Sequence, residues 1–170
     1  MIPKGPSAGS MMHEIFENIS FEDYSADVDA VIVEGIDKYG FDSELTEMIS
    51  ENITEVLETE INLRGEKFSL SAIPESDMKK EMYFIFPVRS LSGHSLRHLY
   101  EKYADQAPEV FRRLDFNMIN GYMAGFIDLL IRINGRYYVI DWKTNYLGDR
   151  LNDYSPERLQ KAMKANMYHL

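Results

Sequence analysis

The sequence contains no cysteine. That excludes a disulfide framework, thiolate metal ligands and cysteine-held iron–sulfur clusters, and it agrees with a cytoplasmic setting. Long apolar runs are missing too. The most apolar stretch, 123–133, is interrupted by Asp128 and Arg132. Nothing approaches the roughly 18–20 uninterrupted apolar residues of a membrane span. Lys4 is not followed by an apolar segment, so no secretory signal is expected. Positive charge is scarce: 18 Lys+Arg stand against 28 Asp+Glu, a formal net charge of −10. Sequence-independent DNA binders are usually basic, because neutralising phosphates releases counterions. On charge alone, a free-standing DNA binder is disfavoured. An acidic chain that acts on DNA needs a divalent metal at its site, or a partner that delivers the strand.

What is present is globular. Hydrophobic residues make up 45% of 170 residues, which fits one domain with a sizeable core. Residues 1–9 read as an irregular lead-in. Ser10 is then the expected cap of a short helix with the apolar stripe Met12, Ile15, Phe16 and Ile19. A second helix is predicted over 28–39. A third is predicted over 44–59, where Leu45, Met48, Ile49, Ile53, Val56 and Leu57 recur at helical spacing. Residues 62–78 read as loop or short strand, 79–88 as a strand, and 96–103 as a helix ending before Pro108. The tail from Ser155 reads as a helix with Pro156 in its first turn and Leu159, Met163 and Met167 along one face.

The clearest local signal lies at 122–143. Two apolar runs flank Asn134-Gly135, a two-residue hairpin turn signal. Such a turn fixes the register: Ile133 faces Arg136, Asp128 faces Asp141, and Phe126 faces Lys143. Facing residues share one side of a sheet, so Asp128, Asp141 and Lys143 are expected on one face. Two facing carboxylates have Cβ atoms roughly 4.5–5.5 Å apart. Their neighbours Ile127, Leu129, Leu130, Val139, Ile140 and Trp142 are apolar. Burying two like charges forces one to hold a proton unless a cation compensates, and a hard divalent ion with oxygen ligands does so. The competing reading is an edge hairpin whose Asp141 and Lys143 form a solvated pair. Spacing alone does not choose between them.

These residues carry a resemblance. The stretch Gly121-Tyr-Met-Ala-Gly-Phe-Ile-Asp128-Leu-Leu, then Gly135-Arg-Tyr-Tyr-Val-Ile-Asp141-Trp-Lys143-Thr-Asn145, resembles the nuclease domain of the RecB family, within the PD-(D/E)xK superfamily. Pro3-Lys-Gly-Pro-Ser-Ala-Gly9-Ser-Met-Met-His13 is similar to the family's G-x-x-x-H element. Glu81 resembles the acidic residue on the family's first core strand. The resemblance implies an α/β domain over 1–170 with a restriction-endonuclease-like core, a mixed central sheet flanked by helices. It implies that the chain stops at Tyr168-His169-Leu170, where the family's Q-x-x-x-Y element would begin. No Walker A pattern occurs, so no helicase motor is expected within these residues.

The resemblance also implies roles. His13, Asp128 and Asp141 would bind Mg²⁺, with Mn²⁺ as the alternative and Ca²⁺ as a non-catalytic occupant. The main-chain carbonyl of Trp142 would complete the set. Lys143 would position or activate the attacking water. Glu81 is a weaker candidate, for a second metal or a supporting shell, and otherwise a strand-edge charge. Asn145 either orients a phosphate or water, or is a strand-end turn residue. Without the resemblance, His13 would read as a boundary residue beside the apolar stripe. His94, His98 and His169 read as surface or packing residues. Gly121 and Gly125 mark a bend or close packing in a strand. Of Tyr137 and Tyr138, one must face the core.

The implied activity is metal-dependent hydrolysis of DNA phosphodiester bonds in double-strand-break repair. The implied partners are DNA, mainly single-stranded, and RecC- and RecD-like subunits, with no membrane. A non-catalytic docking module of the same complex is the alternative; the complete ligand set weighs against it. A stand-alone repair or CRISPR-associated nuclease of the superfamily is a third reading. The absence of cysteine weighs against that one.

Overall fold

The computed structural model describes residues 4–25, 27–63, 65–103 and 116–166. Helix α1 (Pro6–Asn18) begins ahead of the expected Ser10 cap. Pro6 suits the first turn, because its φ is preset and its missing N–H has no partner to lose there. Gly5, at φ 109°, turns the chain into it. Ala8, Met11, Met12, Ile15 and Phe16 form the buried stripe of this helix, and His13 sits on its flank.

Helix α2 (Val28–Tyr39) matches its predicted span and ends at Gly40, whose φ of 71° is the left-handed cap that glycine accepts. Its Gly35 faces α1; a Cβ there would lie 3.3 Å from Ile15 Cγ1. Helix α3 (Thr46–Glu58) follows a single 3₁₀ turn at Ser43–Leu45 and buries Ile49, Ile53 and Leu57. These three stripes meet Leu70, Ile73, Leu129 and Ile131 in one core. Each fully buried aliphatic or aromatic side chain contributes roughly 1.5–3 kcal/mol of transfer free energy.

The ambiguous segment after α3 resolves into a small hairpin, β1 (Ile61–Leu63) and β2 (Glu66–Phe68), followed by two 3₁₀ turns. Strand β3 (Met78–Leu91) is longer at both ends than predicted, and α4 (Gly93–Tyr103) starts earlier. Pro108 lies outside the described residues. Strands β4 (Ile119–Ile133) and β5 (Arg136–Ile140) form the expected hairpin. Asn134 and Gly135 have φ of 50° and 77°, as a type I′ turn requires. Its register is the predicted one, from Ile133↔Arg136 to Leu129↔Ile140. Helix α5 (Pro156–Ala165) closes the described chain with Leu159 and Met163 partly exposed, while Met167 lies outside the described residues.

The architecture is α/β: helices α1–α3 pack on one end of a sheet ordered β3-β4-β5. The sheet corrects one expectation. Every ladder among the described residues is antiparallel rather than mixed. The two-residue turn permits only antiparallel pairing of β4 with β5. The connection from β3 to β4 leaves and returns at the same end of the sheet, as the pair Leu91↔Ile119 shows.

Candidate metal centre

Asp128 sits where both of its ladders are interrupted. On the β3 side, Lys80 pairs with Leu129 and Met82 with Ile127, so Glu81 stands opposite Asp128 in the gap. Glu81 has φ 44°, a left-handed conformation uncommon for a residue with a side chain, and it takes no part in the ladder. On the β5 side, pairing ends at Leu129↔Ile140. Beyond that point the Trp142 N–H donates to Asp128 Oδ2 at 2.8 Å. The carboxylate thus takes the place of a ladder partner.

His13 reaches this point from α1. Its Nε2 donates to the Trp142 carbonyl at 3.0 Å, and its Nδ1 lies 3.6 Å from Asp128 Oδ2. His13, Glu81 and Asp128 each offer a ligand atom within 4.8 Å of the others. All three are half-buried. Glu81 shows how negative the spot is. Burial pushes its carboxyl above its usual value, and the nearby Glu17 and Asp128 carboxylates push the same way; His13 opposes them.

The donor set fits a small hard cation. Octahedral Mg²⁺, with ligands at about 2.0–2.1 Å, holds adjacent ligand atoms about 3 Å apart. His13 Nε2 and the Trp142 carbonyl oxygen stand at that separation as a hydrogen-bonded pair, so Nε2 would have to give up its proton to ligate an ion. The carboxylate and carbonyl oxygens of the set suit Mg²⁺ or Mn²⁺.

Asp141 does not join the cluster in the way expected. Its side chain is 58% exposed, against 14% for Asp128. Lys143 Nζ forms an ion pair with Asp141 Oδ2 and donates to the Trp142 carbonyl at 3.2 Å. The picture of two facing carboxylates in apolar surroundings therefore holds for Asp128 and not for Asp141. The physical reason is that β5 stops at Ile140, which leaves Asp141 outside the ladder. The carboxyl that crowds Asp128 is Glu81, from the other neighbouring strand.

Two features that hold the site together had weak sequence signals. The Trp142 ring stacks on Phe16 of α1, centroids 4.5 Å apart and planes 16° from parallel. This stacking pins the chain after β5 to α1. Gly9 admits the same segment, because a Cβ there would lie 3.0 Å from Thr144 Oγ1. The glycine of the G-x-x-x-H pattern was the available hint.

The remaining candidates are quickly placed. Asn145 lies in the irregular segment after Lys143, beside a cavity. Gly125 is a close-packing position, where a Cβ would meet the Phe84 ring at 2.9 Å. Gly121 has open space around it. Tyr138 packs on the core and Tyr137 is exposed. His94 and His98 are exposed, and His169 lies outside the described residues. Among the described residues, no helix is long and apolar enough to cross a membrane.

No family model matches the chain. Similarity to individual proteins is extensive. The chain is 34% identical over 170 residues to the RecBCD enzyme subunit RecB of Escherichia coli (strain K12), covering 99% of the chain and 14% of that subunit. The subunit of the same name from Haemophilus influenzae is 32% identical over 171 residues, with coverage of 98% and 13%. That of Mycobacterium tuberculosis (strain ATCC 25618 / H37Rv) is 29% identical over 197 residues, covering 99% of the chain and 18% of the subunit. The chain therefore spans about one seventh of the length of the first two relatives.

Proposed function

Because this chain belongs to the RecB family, as the counterpart of one segment of that subunit, we propose that it is a metal-dependent deoxyribonuclease module. Its reaction is hydrolysis of DNA phosphodiester bonds within a RecBCD-type repair complex. One observation carries this reading: donors from α1, β3 and β4 and a main-chain carbonyl converge beside a lysine.

In this reading His13, Asp128 and the Trp142 carbonyl would hold Mg²⁺, and Asp141 would join them only by leaving its ion pair with Lys143. The bound ion would supply Lewis acidity and a water acidified toward neutral pH. Glu81 adds negative charge behind Asp128 and supports the set. Lys143 carries a proton-bearing group next to the ligand carbonyl. There it orients the water and offsets charge that develops on the phosphate oxygens. No side chain has to act as a covalent nucleophile.

The acidity of the chain, −10, fits a delivered substrate better than a captured one. A motor that threads single strands, acting with RecC- and RecD-like partners in the cytoplasm, removes the need for a basic docking face.

The test is cleavage of end-labelled single-stranded DNA in Mg²⁺. Lys143→Ala should lower the rate by roughly 10²–10³-fold, the usual effect of losing one charge-stabilising group. Asp128→Ala should abolish it. Cleavage that persists undiminished in Asp128→Ala would overturn the assignment.

A further inference from the structure

A cavity of about 360 Å³ opens beside Lys143, on the side of Trp142 lined by α1 and α3 residues. None of its lining belongs to the His13–Glu81–Asp128 cluster. Its walls carry four aromatic rings, Phe16, Trp142, Tyr146 and Tyr154, and Asn52 contributes an amide. The volume is at the small end of ligand pockets, which run from roughly 300 to 1,000 Å³.

The two tyrosines are held by residues outside the lining. Tyr146 donates its hydroxyl to Asp149. Tyr154 accepts from the Leu147 N–H at 3.3 Å. Phe16 backs Trp142 by stacking. Lys4 Nζ lies 3.3 Å from the centre of the Tyr146 ring, which places a cation in the same lining. The tyrosines are therefore anchored at the wall, and the amides of Asn52 and Asn145 and the cations of Lys4 and Lys143 share the lining with the four aromatic residues.

Trp142 belongs to both features. Its carbonyl stands at the metal centre, and the residue also lines the cavity. A nucleotide whose phosphate is held at the centre thus has a cavity with aromatic lining next to it. We propose that this cavity is a nucleobase subsite. It receives the base adjoining the scissile phosphate, unstacked from its neighbours, and this inference rests on the nuclease reading above. Aromatic side chains hold bases of any sequence by stacking, because every base has a π-face. A paired base must first leave its stack to enter such a cavity. The subsite therefore favours single strands without reading sequence.

Trp142 is the single tryptophan of the chain, so its fluorescence reports on this cavity directly. The experiment titrates the chain with dAMP in EDTA, where no cleavage occurs, with 2-deoxyribose 5-phosphate as the base-free control. Saturable quenching by dAMP, and none by the control, is expected. Tyr154→Ala should weaken the affinity roughly 5- to 100-fold, the range for loss of one stacking ring. Val56→Phe, which fills the cavity from α3, should abolish the quenching and keeps the test alive if Tyr154→Ala does not fold. Equal quenching by the control, or an affinity unchanged in a folded Tyr154→Ala or Val56→Phe, would overturn the subsite. DNA cleavage without dAMP quenching sinks the subsite and leaves the nuclease reading. Quenching without any cleavage sinks hydrolysis, and with it the subsite's place beside a scissile phosphate, and leaves only a base-binding cavity.

Discussion

Glu81 concentrates the electrostatics of the centre in one residue. Burial and the carboxylates of Glu17 and Asp128 raise its pKa in the folded chain. The sign follows directly. A carboxyl with a raised folded pKa binds its proton more tightly folded than unfolded. Its contribution is lost as pH climbs from the unfolded value, about 4.3, through the folded one. Without divalent ions, Glu81→Gln should therefore flatten the decline in stability over that interval. Urea melts at a series of pH values check this. A decline unchanged in Glu81→Gln would show that the crowding has no thermodynamic weight. Lys143 presents the other side of the balance, since it pairs with Asp141 and bonds the Trp142 carbonyl at once. Of the expected residues, His13, Asp128 and Trp142 meet, with Lys143 alongside. Glu81, ranked as weak, is the one the structure promotes into the cluster.

The elements explain which parts of the site could be read in advance. The β4–β5 register was legible because a two-residue turn leaves no freedom in pairing. Gly135→Ala should cost about 1 kcal/mol, since φ of 77° suits glycine and strains alanine. Urea denaturation measures that loss, and an unchanged midpoint would contradict the turn assignment. The Glu81–Asp128 opposition was not legible. Strands β3 and β4 are joined through α4 and further chain, and no turn residue fixes their register. The exposure of Asp141 was hidden for a related reason, because alternation says nothing about where a strand stops. The start of α1 was misjudged because Pro6 and Gly9 look like loop residues, whereas Pro6 opens the helix and Gly9 seats Thr144. Gly9→Val should push the segment carrying Asp141, Trp142 and Lys143 away from α1. Its cleavage rate should fall by about 10-fold or more, out of proportion to its loss of melting temperature, because small misplacements near reacting groups are expensive. Parallel losses in rate and stability would argue against that contact as a positioning device.

At the scale of the whole molecule, three helices grip one end of a long antiparallel ribbon, and the donors collect where that grip meets the sheet. The chain carries a net charge of −10, so long-range attraction for DNA is weak. Single-strand binding should then depend only shallowly on salt. If Lys4 and Lys143, the cations in the cavity lining, each neutralise one phosphate, the log–log slope is about −1.4. A slope steeper than about −4 would require a basic surface elsewhere. The claim on which all of this turns is that His13, Asp128 and the Trp142 carbonyl form a cation site. Direct titration with Mn²⁺, followed by electron paramagnetic resonance, tests it in wild type and in Asp128→Asn. The account predicts saturable binding at the centre that is lost in the variant, while the fold persists by circular dichroism. Equal Mn²⁺ affinity in the two proteins would contradict it.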